Sequence, residues 1–265
     1  MATTAPFWNR STFLVITGAS RGIGKNLATQ FSTLVTSDST LVLLARNLQN
    51  LEATKTEILA TNPKLDIKIY SVDLRKPDSK EFDTILRSSA AAKRYELYFL
   101  VHNAGYILTD VRASEMDDVQ QFNEYMTMNL FSVTALTSSF LKLFVKNERC
   151  ILNISSSAAI HPIKGVVHYC VGKSSREMYF KVLAQENPDL NVLNYAPGPV
   201  RTDLQRELAN DCWNEDTRTL LQTFAESPVK MEDTIKKLID TLESRSYSNG
   251  EHVIFQNPLY KMIYS

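Results

Sequence analysis

Apolar and polar positions along the chain fall into two alternating kinds of segment. Short runs rich in aliphatic, β-branched and aromatic residues recur at 12–17 (TFLVIT), 41–45 (LVLLA), 66–72 (DIKIYSV), 96–102 (ELYFLVH), 150–156 (CILNISS) and 190–195 (LNVLNY). A last one stands at 251–255 (EHVIF). Runs of this length, most of them stopped by glycine, asparagine or a polar residue, predict strands buried on both faces. Between them the apolar spacing turns helical, through about Val35, around 78–92, from about Val119 to Lys146 and through about Gln185. In the 119–146 stretch, Phe122, Tyr125, Met126, Leu130, Val133, Leu136 and Phe140 form the stripe of one long helix, serving core and subunit interface. A polar, glycine-poor helical region covers 203–245, and roughly 203–230 is expected to close over a site as a lid. Strand and helix in regular alternation predict a single α/β domain over 1–265. Its sheet should be doubly wound, with about seven parallel strands and helices on both faces.

Charge and composition narrow the class. Lys plus Arg and Asp plus Glu number 29 each, which removes the electrostatic case for nucleic acid or an anionic membrane. No apolar run approaches the ~18 residues of a membrane span. The opening MATTAPFWNRS lacks the apolar core of a secretory leader. Cys150, Cys170 and Cys212 are an odd, scattered set without a CxxC pair. The expectation is a reduced, cytoplasmic protein with no metal site.

Candidate chemistry begins at the first strand end. The turn Gly18-Ala19-Ser20-Arg21-Gly22-Ile23-Gly24 leads into a helix. Glycines allow a tight turn and close backbone approach, and the helix N-terminus offers free N–H groups to a pyrophosphate. At the end of the second strand Ala45, Arg46 and Asn47 stand where an NAD site usually places a carboxylate. Arg46 opens the next helix, where a cation is disfavoured by the dipole, so with Arg21 it is read as a grip on a 2′-phosphate. The cofactor expected is NADP(H). Asp73 and Leu74 follow the third strand and are placed at the adenine edge. Asn103-Ala104-Gly105 follows the fourth and should lie against a ribose, with His102 a packed residue. Pro197-Gly198-Pro199-Val200-Arg201-Thr202 is a rigid loop after the sixth strand. In it the Val200 N–H and the Thr202 hydroxyl are expected to meet a carboxamide and a phosphate.

The stretch 153–173, NISSSAAIHPIKGVVHYCVGK, carries the reacting groups. Tyr169 and Lys173 are four apart and share a helix face. Ser156, at a strand end, can stand beside the phenol. An ammonium some 4–5 Å from a phenol, at an effective dielectric of about 20, favours phenolate by roughly 3–4 kcal/mol. Lys173 is therefore expected to lower the pKa of Tyr169 into catalytic range. Asn129, an unfavourable residue inside a helix, should have a buried partner and lead a water to Lys173.

These motifs in this order (TGASRGIG at 17–24, NAG at 103–105, Asn129, Ser156, Tyr169, Lys173 and PGPVRT at 197–202) resemble the short-chain dehydrogenase/reductase family over nearly the whole chain. The resemblance implies a Rossmann-type domain, an Asn-Ser-Tyr-Lys tetrad and hydride transfer at a nicotinamide without metal. It also implies a homodimer or tetramer built on the two long helices. LLARN at 43–47, PIKGVVHYCVGK at 162–173 and LNYAPGPVRTD at 193–203 are similar to members that reduce side-chain ketones of pterins with NADPH. By that likeness Ser156, Ser157, Tyr169, Cys170, Leu204 and Gln205 hold the substrate. Those members anchor the pterin on an aspartate in the last strand, where this chain has Ile254, and carry a bulky aromatic where it has Val166. Either Glu251 or Asp203 takes that role, or the substrate is another small ketone, diketone or aldehyde. A cofactor-sensing protein without catalysis is the rival from a different class.

Overall fold

The computed structural model describes residues 6–91, 93–108, 111–145 and 147–256. The expected helix end at Lys146 lies outside the described residues. Seven parallel strands form one sheet: β1 (Thr12–Thr17), β2 (Thr40–Ala45), β3 (Asp66–Ser71), β4 (Leu97–His102), β5 (Glu148–Ile154), β6 (Leu190–Ala196) and β7 (His252–Ile254). Their order is β3-β2-β1-β4-β5-β6-β7. The helices are α1 (Gly22–Ser32), α2 (Leu48–Thr61), α3 (Ser79–Ala90), α4 (Val119–Met126), α5 (Ser132–Leu143), α6 (Val167–Glu186), α7 (Asp203–Asp211), α8 (Glu215–Glu226) and α9 (Met231–Ser244).

The continuous apolar strands are explained by burial on both sides. Leu14 and Ile16 pack with Leu27 and Phe31 of α1 and Leu238 of α9. The alternate residues Phe13 and Val15 pack with Phe82 of α3, Phe140 of α5 and Phe180 of α6 on the other face. Full burial of each such side chain contributes about 1.5–3 kcal/mol, so these two layers hold the strand ends in place. Asn47, Asp78 and Asp118 cap α2, α3 and α4, accepting from backbone N–H groups at 2.8–2.9 Å. Strand order reverses direction beside β1, where β2 lies on one side and β4 on the other. Connections leave the sheet in opposite senses there, which opens a crevice at the carboxyl ends.

The single helix expected from Val119 onward is interrupted. Thr127–Phe131 form a π-turn between α4 and α5. Hydroxyl and amide side chains explain it. Thr127 Oγ1 donates to the Asn123 carbonyl at 2.7 Å, Asn129 Nδ2 to Tyr125 at 3.0 Å and Ser132 Oγ to Met128 at 2.6 Å. These bonds compete for carbonyls that a regular helix would use. The polar region after 203 is likewise two helices, α7 and α8, before α9. No helix among the described residues is long and apolar enough to cross a membrane.

Candidate active site

The carboxyl ends of β1, β2, β4, β5 and β6 open onto one cavity of about 730 Å³. Its opposite wall comes from α7 and α8, through Leu204, Leu208, Leu221 and Phe224. All but three of the expected site residues line it; Gly24, Asp73 and Cys170 do not.

At one end lies the glycine turn. Gly18 adopts φ +69°, and a Cβ there would come within 2.8 Å of Asn103 Nδ2. Gly24 does not face the cavity. A Cβ on it would stand 2.3 Å from the Gly18 carbonyl oxygen, so its role is to seat α1 on the turn. The α1 N-cap, Arg21, makes no side-chain capping bond, which leaves the leading N–H groups to be satisfied by an anion. This uncapped, close-packed cradle fits a pyrophosphate. The Asn103 side-chain amide fastens the turn, while Asn103, Ala104 and Gly105 all line the cavity. Asn103 Nδ2 donates to the carbonyls of Thr17 at 3.0 Å and Gly18 at 3.3 Å, while Thr17 Oγ1 accepts from the N–H groups of Asn103 and Ala104. Thr17, which the motif reading passed over, thus fastens the β1 and β4 turns together.

Arg21 and Arg46 both line this end. Arg21 reaches Asp203, at the start of α7, in an ion pair. Arg46 stands one residue before the helix cap, because Asn47 is the residue that caps α2. Asp73 is turned away from the expected adenine contact. Its carboxylate grips Arg75 Nε at 3.0 Å and Nη2 at 2.7 Å, and the neighbouring Val72 and Leu74 line the cavity in its place. In the loop after β6, the Val200 N–H closes its own turn on Gly198 O at 2.9 Å, so it does not point free as expected. Thr202 Oγ1 caps α7, accepting from the Gln205 N–H at 3.2 Å, and keeps its own proton to donate.

At the other end the tetrad assembles. Ser156 Oγ accepts from the Ala158 N–H at 3.2 Å and lines the cavity together with the Tyr169 phenol. Tyr169 and Lys173 project from one face of α6, with Nζ 5.7 Å from the phenol ring centroid. Nζ donates to the Ile154 carbonyl at 2.7 Å. Asn129 Oδ1 accepts from the Tyr106 N–H at 3.2 Å, and its Nδ2 is committed to Tyr125. Both ends of that amide are therefore held by backbone. Gly105 packs against it, since a Cβ there would come within 3.1 Å of Oδ1.

The expected acidification of Tyr169 by Lys173 does not hold in this pocket. Burial pushes the phenol above its usual value, and the Ser156 bond only partly opposes this. Burial also drives Lys173 well below the usual amine range, helped by the nearby Arg176 and resisted by Glu177. Desolvation penalises both charged forms together. The phenol consequently keeps its proton, which is the form a proton donor needs.

Behind the tetrad lie two charged residues that the motif reading missed. Arg176 is 1% exposed and Glu177 also 1%. Arg176 Nε donates to Asn153 Oδ1 at 2.7 Å, Nη1 to the Ala104 carbonyl at 2.9 Å and Nη2 to that of His102 at 2.5 Å. Glu177 accepts from Ser155 Oγ at 2.5 Å and His252 Nδ1 at 2.6 Å, and it is ion-paired with Lys181 Nζ at 2.9 Å. Burial raises this carboxyl, but those bonds outweigh it and hold it below its ordinary range. The signal for Arg176 was present: it follows Tyr169 by two helical turns and Lys173 by three residues. His102 is packed as expected, with Nε2 on Thr137 Oγ1 at 2.9 Å.

Around the substrate end, Ser157, Leu204 and Gln205 line the cavity, and Gln205 Nε2 is buried without a partner among the described residues. Cys170 stands behind the wall, its Sγ 3.9 Å from the Ile163 carbonyl. Ile254 pairs with Ala196 in the sheet and is not on the lining. Of the two alternative carboxylates, Glu251 accepts from the Ser248 N–H outside the cavity. Asp203 is on the lining but is engaged by Arg21 and by Arg206, the latter at 2.5 Å.

A family model described as short chain dehydrogenase matches residues 12–213. The chain is 36% identical to sepiapterin reductase of Bos taurus over 252 residues, which cover 92% of this chain and 94% of that one. Sepiapterin reductase of Xenopus tropicalis is 32% identical, covering 92% and 96%. Among solved structures, L-sorbose reductase from Gluconobacter frateurii, complexed with NADPH and L-sorbose, superposes with a TM-score of 0.78. It covers 97% of this chain and 99% of that one at 22% identity, a likeness of fold alone.

Proposed function

The chain belongs to the short chain dehydrogenase family and is an oxidoreductase similar to sepiapterin reductases; on that premise we propose that it is an NADPH-dependent carbonyl reductase. Its proposed substrates are side-chain ketones of pterins, sepiapterin and 6-pyruvoyl-tetrahydropterin among them, in the formation of tetrahydrobiopterin. One observation carries the reading: the Tyr169 phenol and the Ser156 hydroxyl line one end of a cavity whose other end is a glycine cradle flanked by two arginines.

The Gly18–Gly24 turn would hold the pyrophosphate of NADPH and Arg21 and Arg46 its 2′-phosphate. Tyr169 and Lys173 would hold the nicotinamide ribose. When bound, the dihydronicotinamide supplies a hydride. Ser156 and Tyr169 hold the ketone oxygen by two hydrogen bonds, orienting its carbon toward the cofactor end. Tyr169 gives its phenolic proton to that oxygen as charge develops on it. Lys173, kept in place by the Ile154 carbonyl, passes a proton taken from water back to the phenolate. Asn129 fixes the backbone of Tyr106 and the π-turn around the pair.

We place this activity in a cytoplasmic homodimer. The exposed Phe131, Met178 and Val182, in the π-turn and on α6, support a subunit interface there. The lid role of 203–230 is supported by the α7 and α8 residues on the cavity wall. A second reading, reduction of other small ketones or diketones, is favoured by the apolar far wall and by Ile254 lying off the lining. NADPH oxidation with and without sepiapterin, in wild type and Tyr169→Phe, tests all of this. Sepiapterin-dependent turnover that Tyr169→Phe abolishes is expected. Turnover with simple diketones alone would favour the second reading, and undiminished turnover in Tyr169→Phe would refute the mechanism.

A further inference from the structure

Glu177 is a buried carboxylate that the reaction above does not use. Tyr169, Lys173 and Glu177 follow one another at four-residue steps and so share one face of α6. Side chains of this helix fasten the end of β5 residue by residue. Arg176 Nε donates to Asn153 Oδ1 at 2.7 Å, Lys173 Nζ donates to the Ile154 carbonyl at 2.7 Å, and Glu177 Oε2 accepts from Ser155 Oγ at 2.5 Å. Ser155, 3% exposed, also completes the sheet, its N–H donating to the Tyr195 carbonyl at 2.7 Å. The next residue is Ser156, which has extended backbone (φ −158°, ψ 156°) and lines the cavity with Tyr169. The carboxylate is itself set from the other side. His252 Nδ1, on β7, donates to the same Oε2 at 2.6 Å, and Lys181 Nζ is ion-paired with Oε1 at 2.9 Å. The other ring nitrogen, His252 Nε2, is buried without a partner among the described residues, so the polar capacity of that ring is spent on Glu177. Burying a carboxylate is costly, and a helix needing only packing there is better served by an aliphatic side chain.

We propose that Glu177 is a positioning residue for Ser156: by holding the Ser155 side chain it sets the direction from which the next hydroxyl meets the ketone oxygen of the substrate. Planar peptide bonds leave each residue only two soft dihedrals, so a Ser155 fixed at both its side chain and its N–H restricts where Ser156 Oγ can stand. That restriction matters for a hydrogen bond to developing charge, which depends on donor placement. Glu177 does not line the cavity, and neither do His252 and Lys181. Its influence on turnover therefore passes through Ser155 to Ser156, and β7 is tied to the reacting end of β5 by the same carboxylate.

This role rests on the reading in which Ser156 holds the ketone oxygen. The test is a double-mutant cycle in kcat for carbonyl reduction, comparing Glu177→Ala, Ser156→Ala and the double variant, beside the Kd for NADPH from fluorescence titration. With Ser156 present, Glu177→Ala should lower kcat by about 10- to 100-fold, the scale of a small misplacement. With Ser156 already alanine, the same change should alter kcat by no more than about twofold, and the Kd for NADPH should also stay within about twofold of wild type. Ser155→Ala removes the link without touching α6 and should give the same pattern, which covers the case of Glu177→Ala failing to fold. Undiminished kcat in these variants, equal losses with and without Ser156, or a Kd weakened as much as kcat would overturn the assignment. A group acting on Lys173 or on the fold at large would give the equal losses. Near-normal turnover in Ser156→Ala would instead remove the reading beneath it.

Discussion

Lys173 Nζ and the Ile154 carbonyl oxygen stand 2.7 Å apart, so the amine of α6 is fastened to the last residue of β5 and not to the phenol one turn away. Replacing it separates catalysis from stability. Lys173→Met should lower kcat/KM by about 10²-fold or more, the scale of a lost acid–base group. Its unfolding free energy should stay within about 1 kcal/mol of wild type, because removing a buried amine also removes its desolvation cost. Steady-state kinetics beside urea unfolding checks both; a large stability loss would make the lysine chiefly structural.

Gly24→Ala is expected to fail at the cofactor. The added methyl would meet the Gly18 carbonyl at 2.3 Å and Asn103 Nδ2 at 2.4 Å, the first of them backbone that cannot rotate aside. A cost of roughly 1–3 kcal/mol in stability is expected, together with weakened NADPH binding, although Gly24 does not line the cavity. Thermal unfolding and fluorescence titration with NADPH are the measurements.

Arg46→Asp should reverse the nucleotide preference. A charge-assisted bond to phosphate contributes about 1.5–3 kcal/mol, so the ratio of kcat/KM for NADPH over NADH should fall by at least tenfold. Arg21, already paired with Asp203, should show a smaller effect in Arg21→Ala. Equal use of both nucleotides by the wild type would remove the basis for NADPH.

Tyr195 predicts an alkaline stability change. Its buried hydroxyl donates to the Thr234 carbonyl at 2.7 Å, and burial raises the phenol to about 12, with the Thr234 bond opposing. A group bound more tightly to its proton in the folded state contributes most below its unfolded pKa of ~10. That contribution should disappear as the pH rises from about 10 toward 12. Tyr195→Phe, less stable by about 1 kcal/mol at neutral pH, should therefore lose stability less steeply than wild type over that window. Denaturant unfolding at a series of pH values would show it.

What the sequence made legible was whatever depends on local spacing. Seven apolar runs marked seven strands, and the four-residue step from Tyr169 to Lys173 placed both in one cavity with Ser156. Long-range pairing was not legible. Arg21 meets Asp203 across 182 positions, and Asp73 prefers its neighbour Arg75 to the cofactor end. The buried Arg176 and Glu177 sit in a polar stretch, KSSRE, that resembles an ordinary solvated helix face. Apart from Lys181 on α6 itself, their partners come from β4, β5, β7 or the turns just after β4 and β5. Composition did not separate α4 from α5 either, because the π-turn depends on which carbonyl each hydroxyl captures.

That π-turn has a consequence for tolerated changes in length. A wider turn holds an additional residue without lengthening the stripe that packs on the sheet. Removing one codon within 127–131 would let the segment become a continuous α-helix, better bonded than before. The faces on either side would keep their phase, since the wide turn absorbs the residue removed, so Tyr125 would stay against Gly172. Here a single-residue deletion improves local regularity but removes the bulge from which Asn129 projects, so the irregular form is the one that keeps Asn129 aimed at Tyr106.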